Sequence, residues 1–163
     1  MEELPKGKYY VTMRGGEKLE QELEQLENQR ERLAGNIRTA KAFGDLSENF
    51  EYHEAKREAG FVEGRLMELK QILPTAHVIS PEMVSADTVE FGSVVRVRDL
   101  GLDEEWDYWI VGPLEADPEN DRISYESPLG AAFIGRKVGD VVEATVPAGV
   151  ARYEIVGIRP YER

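Results

Sequence analysis

The chain has 163 residues, 20 Lys+Arg against 32 Asp+Glu for a formal charge of −12, no cysteine and two histidines, His53 and His77. That composition excludes disulfides, thiol catalysis, cysteine-ligated zinc and a histidine-rich metal cage. A chain this acidic is not expected to bind free nucleic acid by counterion release, which takes clustered cations. With 41% hydrophobic and 32% charged residues it reads as a globular chain with room for one large domain or two small ones. No apolar run approaches the ~20 residues of a membrane span. The acidic start Met1-Glu2-Glu3 is unlike a signal peptide, so a cytoplasmic protein with no membrane role is expected.

Residues 1–11 read as a lead-in broken by Pro5 and Gly7, with Tyr9, Tyr10 and Val11 available to pack at the base of a helical rod. Thr12 is placed to cap a first helix over roughly 14–43. Within it Leu19, Leu23, Leu26, Arg30, Leu33, Ile37 and Ala40 step by fours and threes, the spacing of a heptad seam. Tyr52, Ala55, Ala59, Val62, Leu66, Leu69 and Leu73 repeat those steps in mirror order on a second helix over roughly 48–76. The two seams come into register only if the chain folds back near residue 46, which predicts an antiparallel helical hairpin. Each arm, about 30 residues, would be ~45 Å long. Such a rod is too thin to enclose a ligand, but it can carry its turn, Gly44-Asp45-Leu46-Ser47-Glu48-Asn49, far from the rest of the chain.

Arg30 on the seam is unusual, since a cation there costs stability in return for register or partner choice. Arg38 and Lys41, with Lys56 and Arg57 alongside, form a cationic collar behind the acidic turn. One reading pairs these charges across the hairpin, Arg38 with Glu54 and Lys41 with Glu51, for ~0–1 kcal/mol each. The other leaves them for a partner.

Ser80-Pro81 reads as a domain boundary, because proline forces its predecessor out of helical geometry. It separates a hairpin domain, residues 1–80 with net charge −3, from residues 81–163 with net charge −9. The second part alternates β-type runs with turns: Val89 to Arg98, Glu105 to Val111, Arg122 to Tyr125, Val141 to Val146 and Ala151 to Ile158. A short helix interrupts them, with Ser127 as cap, Pro128 at its first position and Gly135 as a stop, and Pro147-Ala148-Gly149 is a turn. The fold class is α+β: a coiled-coil hairpin followed by a mainly antiparallel sheet domain with one short helix.

Asp45 and Glu48 admit two accounts. Asp45 or Ser47 can cap the second helix, with the acids favoured by its dipole. Alternatively the two carboxylates bind a divalent cation. Mg²⁺ wants six oxygen ligands, so two side chains can only complete a site that a partner largely supplies.

The segment Gly44-Asp45-Leu46-Ser47-Glu48-Asn49-Phe50-Glu51-Tyr52-His53, followed by Gly60-Phe61-Val62-Glu63-Gly64-Arg65, closely resembles the bacterial Gre transcript-cleavage factors, more the GreA branch than the GreB branch. The likeness extends to Thr12 through Leu26, to Ser127-Pro128 and to the closing Gly-Asp-Val-Val and Tyr-Glu-Ile-Val runs, and so covers nearly the whole chain. It implies a coiled coil that enters the secondary channel of bacterial RNA polymerase, and an FKBP-like C-terminal domain that docks at the channel rim. It implies a monomer with no cofactor of its own, an accessory factor rather than an enzyme, that activates the polymerase's own cleavage of backtracked RNA. By motif match Asp45 and Glu48 help hold the polymerase's second Mg²⁺, with Ser47 and Asn49 in support. Lys41 and Lys56, with Arg38 and Arg57 nearby, contact the 3′ segment of the nascent RNA, and Glu126, Ser127 and Pro128 dock at the rim. For Ser127 and Leu129 a capped helix packed on the sheet is the competing account. Phe50 stands where the family usually has a small residue. A paralogue that fills the same channel and inhibits would carry a more heavily acidic tip than this one. A prolyl isomerase needs an apolar pocket that Trp106, Tyr108, Trp109 and Phe133 do not assemble, since neighbours on a strand face opposite ways. A bare coiled-coil interaction module, its acids serving only as caps, is the third competitor.

Overall fold

The heptad pattern produces two helices, α1 (Met13–Lys41) and α2 (Phe50–Ile72), in a computed structural model that describes residues 9–45 and 48–162. The expectations placed on Pro5, Gly7, Leu46 and Ser47 fall outside the described residues. Thr12 caps α1 as predicted: its Oγ1 accepts from the Gly15 N–H at 3.1 Å. The arms run antiparallel, since Glu22 near the start of α1 meets Arg65 late in α2 at 2.6 Å, and Gln29 further along α1 donates to Glu58 at 2.9 Å. The Arg65 hydrogen bond holds the Glu22 carboxyl below the usual carboxylate range. Both side chains are partly exposed, so the pair orders the rod more than it stabilises it.

Leu33, Val62 and Leu66 form a buried cluster inside the rod, packed by Leu23, Leu26 and Ala59, all of them seam positions. Arg30 turns its guanidinium out of the seam toward Glu63, 3.6 Å away, which spares it desolvation. At the end of α2 the buried residue is Ile72 and not Leu73. The chain there tightens into a 3-10 turn, Leu73–Thr75, which breaks the heptad phase.

The chain divides into two compact units, Glu17–Thr75 and a second made of the residues up to Gly16 together with those from Ala76 onward. The boundary expected at Ser80-Pro81 therefore lies inside the second unit. The reason is a pairing not foreseen: β1 (Tyr9–Thr12) and β2 (Ala76–Ile79) form a parallel two-stranded sheet, Tyr9 opposite Ala76 and Thr12 opposite Ile79. Each strand is only four residues, too short for an alternation to register.

The remainder of that unit is a five-stranded sheet of β3 (Ser93–Asp99), β4 (Glu104–Val111), β5 (Arg122–Ser124), β6 (Val141–Val146) and β7 (Gly149–Pro160), in the order β5-β4-β3-β7-β6. All neighbours are antiparallel except β4 and β5. Every predicted strand has a counterpart, and Pro147-Ala148 forms the tight link between the paired Val146 and Gly149. The segment Val89 to Gly92 stays out of β3. Val89 is fully buried, yet its backbone bonds to Gly135 and Arg136 at 2.9 Å each instead of to a strand. Helix α3 (Pro128–Phe133) lays Phe133 into the core among Val95, Val97, Ile110 and Ile155, so the fold is α+β as expected. Among the described residues no helix is long and apolar enough to cross a membrane.

Candidate functional site

The last turn of α1 tightens before the chain turns: Ala42 N–H bonds to the Thr39 carbonyl at 3.2 Å and Phe43 N–H to the Ala40 carbonyl at 3.1 Å. Gly44 comes next at φ +116°, in the region that favours glycine, and stops the helix. Asp45 then emerges with an exposed side chain, as Glu48 does on the far side of the turn.

The cap of α2 is Asn49. Its Oδ1 accepts from the Tyr52 N–H at 3.0 Å, and its Nδ2 donates to the Ala40 carbonyl in the last turn of α1 at 2.7 Å. One amide thus starts the second arm and ties it to the first. Asn49, expected from the resemblance to support the tip acids, thus also has a structural role, which uses one of its two N–H donors and one lone pair of its oxygen. The sequence pattern offers Asp45 or Ser47 as the cap and passes over Asn49, because the bridge to Ala40 is visible only in the folded hairpin.

The consequence for the tip acids is direct. Capping α2 does not require Asp45, and Glu48 precedes the cap with its carboxylate outward. Among the described residues no three His, Cys, Asp or Glu side chains gather as a metal site. Two exposed carboxylates are the hard oxygen donors that Mg²⁺ takes, too few to hold it alone and suited to a shared site. Phe43 and Phe50 flank the turn, each 77% exposed. Phe50 also lines an open groove of about 370 Å³ with Leu33, Ala40 and Ala55 on its floor and Glu51, Glu54 and Glu58 along its edge.

Arg38, Lys41, Lys56 and Arg57 are all exposed. The pairs of one reading, Arg38 with Glu54 and Lys41 with Glu51, do not form among the described residues; Glu54 is taken instead at 2.7 Å by Arg57, one turn along its own helix. Lys56 lies over the Tyr52 ring at 5.8 Å. The collar therefore separates into Arg57, engaged with Glu54, and Arg38, Lys41 and Lys56, which have no carboxylate partner among the described residues.

In the sheet unit, Ser127 caps α3, its Oγ accepting from the Gly130 N–H at 3.1 Å and donating to the Ser124 carbonyl at 2.6 Å. Leu129 packs on the core. Both take the structural role that competed with contact, whereas Glu126 and Pro128 present exposed side chains beside them. Burial raises the neighbouring Tyr125 phenol above its ordinary range, with the Glu126 charge adding to the shift.

Residues 84–160 match the family described as "Transcription elongation factor, GreA/GreB, C-term", and residues 9–78 match "Transcription elongation factor, N-terminal". The chain is 50% identical over 152 residues, 93% of its length and 95% of the relative's, to a transcription elongation factor GreA of Clostridium botulinum. It is 49% identical over 153 residues, covering 93% and 96%, to the GreA of Clostridium kluyveri. Among solved structures, the GreA factor homolog 1 (Gfh1) of Thermus thermophilus is 28% identical and matches with a TM-score of 0.43 over 93% of this chain and 99% of that one. Two adjoining segments of the sequence, the first of which carries the acidic turn between its two heptad arms, thus belong to one family: the chain is a member of the GreA/GreB transcription elongation factors.

Proposed function

We propose that the chain inserts its helical rod into the secondary channel of bacterial RNA polymerase and stimulates the polymerase's own cleavage of backtracked RNA. In this reading it acts as a monomer and an accessory factor, and the catalytic machinery is the polymerase's. The observation that carries it is the tip, where Asn49 supplies the cap of α2 and two carboxylates, Asp45 and Glu48, stand exposed beyond it. They would complete the polymerase's second Mg²⁺ site, where the ion lends charge stabilisation to the attacking and leaving oxygens of the hydrolysed phosphodiester. The chain's own work is to bring two negative charges to that place and hold them there. Glu126 and Pro128 are proposed to dock the sheet domain at the channel rim, with Ser127 setting the start of the helix beside them.

Backtracked elongation complexes incubated with and without the protein test this. RNA shortened from its 3′ end should appear at least tenfold faster with the protein present. An unchanged rate, or a slower one as an inhibitory relative would give, rejects the reading.

Arg38, Lys41 and Lys56 are proposed to face the 3′ segment of the RNA, a reading supported by their lack of carboxylate partners among the described residues of an otherwise acidic chain. Exchanging Lys41 and Lys56 for Ala should reduce crosslinking between the rod and the RNA 3′ segment severalfold, with thermal stability within ~0.5 kcal/mol of the parent, since no ion pair is lost. Unaltered crosslinking in the double variant would assign these lysines to solvation alone.

A further inference from the structure

The first turn of α1 is held by two side chains from far along the sequence. Thr12, which caps the helix, is almost fully buried. Its N–H donates to Glu115 Oε2 at 2.9 Å, and its hydroxyl donates to Glu115 Oε1 in a short bond, so one carboxylate engages both. The next N–H, that of Met13, donates to Tyr161 Oη at 3.1 Å, and the same hydroxyl donates to the carbonyl of Ile79. Thr12 and Ile79 are the paired last residues of β1 and β2. Tyr161 is itself fixed, buried with Val84 and Val94 and stacked on Trp109 at 5.9 Å. Glu115 is held by a turn in which its N–H bonds to the Gly112 carbonyl at 3.1 Å.

Gly15 shows what this arrangement demands. Glycine is the poorest helix former after proline, yet it occupies the first turn of the long arm. A Cβ at that position would lie less than 3.0 Å from three carboxyl atoms of Glu115. Helix propensity is given up where the carboxylate has to approach. Starting the helix would need only Thr12, which already accepts from Gly15.

We propose that Glu115 and Tyr161 are positioning residues for the tip. They clamp the root of α1, and through that helix they set how consistently Asp45 and Glu48 arrive where they act; this rests on the cleavage reading above. Leverage is the physical reason. The 29 residues of α1 span ~43 Å at 1.5 Å per residue, so a ~10° wobble in the first turn moves its far end by ~7 Å. Productive placement of a catalytic group tolerates ~0.5 Å. Neither residue touches the reacting atoms, so the expected signature is a lower maximal rate at unaltered affinity.

Three full-length variants reach the clamp by different routes. Glu115→Gln leaves an amide that cannot accept from both Thr12 donors. Tyr161→Phe removes the hydroxyl shared by Met13 and Ile79. Gly15→Ala displaces the carboxylate sterically while improving helix propensity. At saturating factor the stimulated cleavage rate should fall about fivefold or more in each, with the half-saturating concentration within twofold of the parent. The chain has no cysteine, so spin labels at Phe43→Cys and Leu102→Cys, both exposed positions, give a readout without polymerase. The distribution of label distances should widen at least twofold in the variants. Parental distributions in both Glu115→Gln and Tyr161→Phe overturn the clamp, and widened distributions with a parental maximal rate overturn its positioning role. If the unmodified protein stimulates no cleavage, the functional reading fails, and the label distances still decide whether the clamp exists.

Discussion

Asp45→Asn and Glu48→Gln should each slow stimulated RNA cleavage by tenfold or more, with polymerase affinity and thermal stability nearly unchanged. Tenfold corresponds to ~1.4 kcal/mol of barrier. The substitutions keep size and shape and remove the charge that draws Mg²⁺ to the tip, leaving an amide oxygen as a weaker ligand. Stability should hold because α2 is capped by Asn49, which neither change touches. Raising Mg²⁺ should restore part of the rate, since the lost carboxylate acts through metal occupancy. If the acids served only the helix, cleavage would stay at the parental rate in saturating protein and the only effect would be a small loss of stability. Rate measured against Mg²⁺ for both variants separates the two accounts, and a parental rate in Asp45→Asn ends the metal-donor reading.

Much of this architecture was legible because its signals are periodic. The heptad steps around residue 46 placed Leu23, Leu26, Leu33, Ala59, Val62 and Leu66 in one interior, and these residues pack together. Ser127 and Pro128 likewise marked the start of α3 from local chemistry alone. What escaped depends on partners distant in sequence. β1 and β2 are four residues each and exist by pairing with one another. Glu115, in a loop with no pattern around it, finds Thr12 only once the sheet unit has formed.

The candidate site divides in the same way. The tip acids were visible as residue types at a turn, whereas the cap of α2 is Asn49, whose second bond reaches back to Ala40 across the hairpin. Of the two readings of the collar, the cross-hairpin pairing fails for a related reason. Opposition across the seam suggested Glu54 for Arg38, but Arg57 lies one turn away on the same helix, and a neighbour three residues off needs less ordering to reach than one across the rod.

Leu66→Ala should be among the most damaging single truncations in the rod, at ~2–5 kcal/mol. Leu66 is 1% exposed and shares its cluster with only two other buried residues, Leu33 and Val62. Two helices side by side cannot close around a cavity as a thicker core can, so the lost contacts are poorly replaced. A loss of that size is a large share of what so thin a unit has to spare. The sheet core around Val97, Ile110, Phe133 and Ile155 is a separate cluster and should be unaffected. Hydrogen exchange on the full-length variant should therefore show protection falling at least tenfold across residues 17–75 while β3 and β7 keep theirs, and stimulated cleavage should fall with the rod. Leu66→Met, which conserves volume, should cost less than ~1.5 kcal/mol. Met67→Ala, one residue along at an exposed position, should stay within ~0.5 kcal/mol of the parent. Parental protection of residues 17–75 in Leu66→Ala would mean that the rod does not depend on its seam, and the heptad account of the first half of the chain would have to be abandoned.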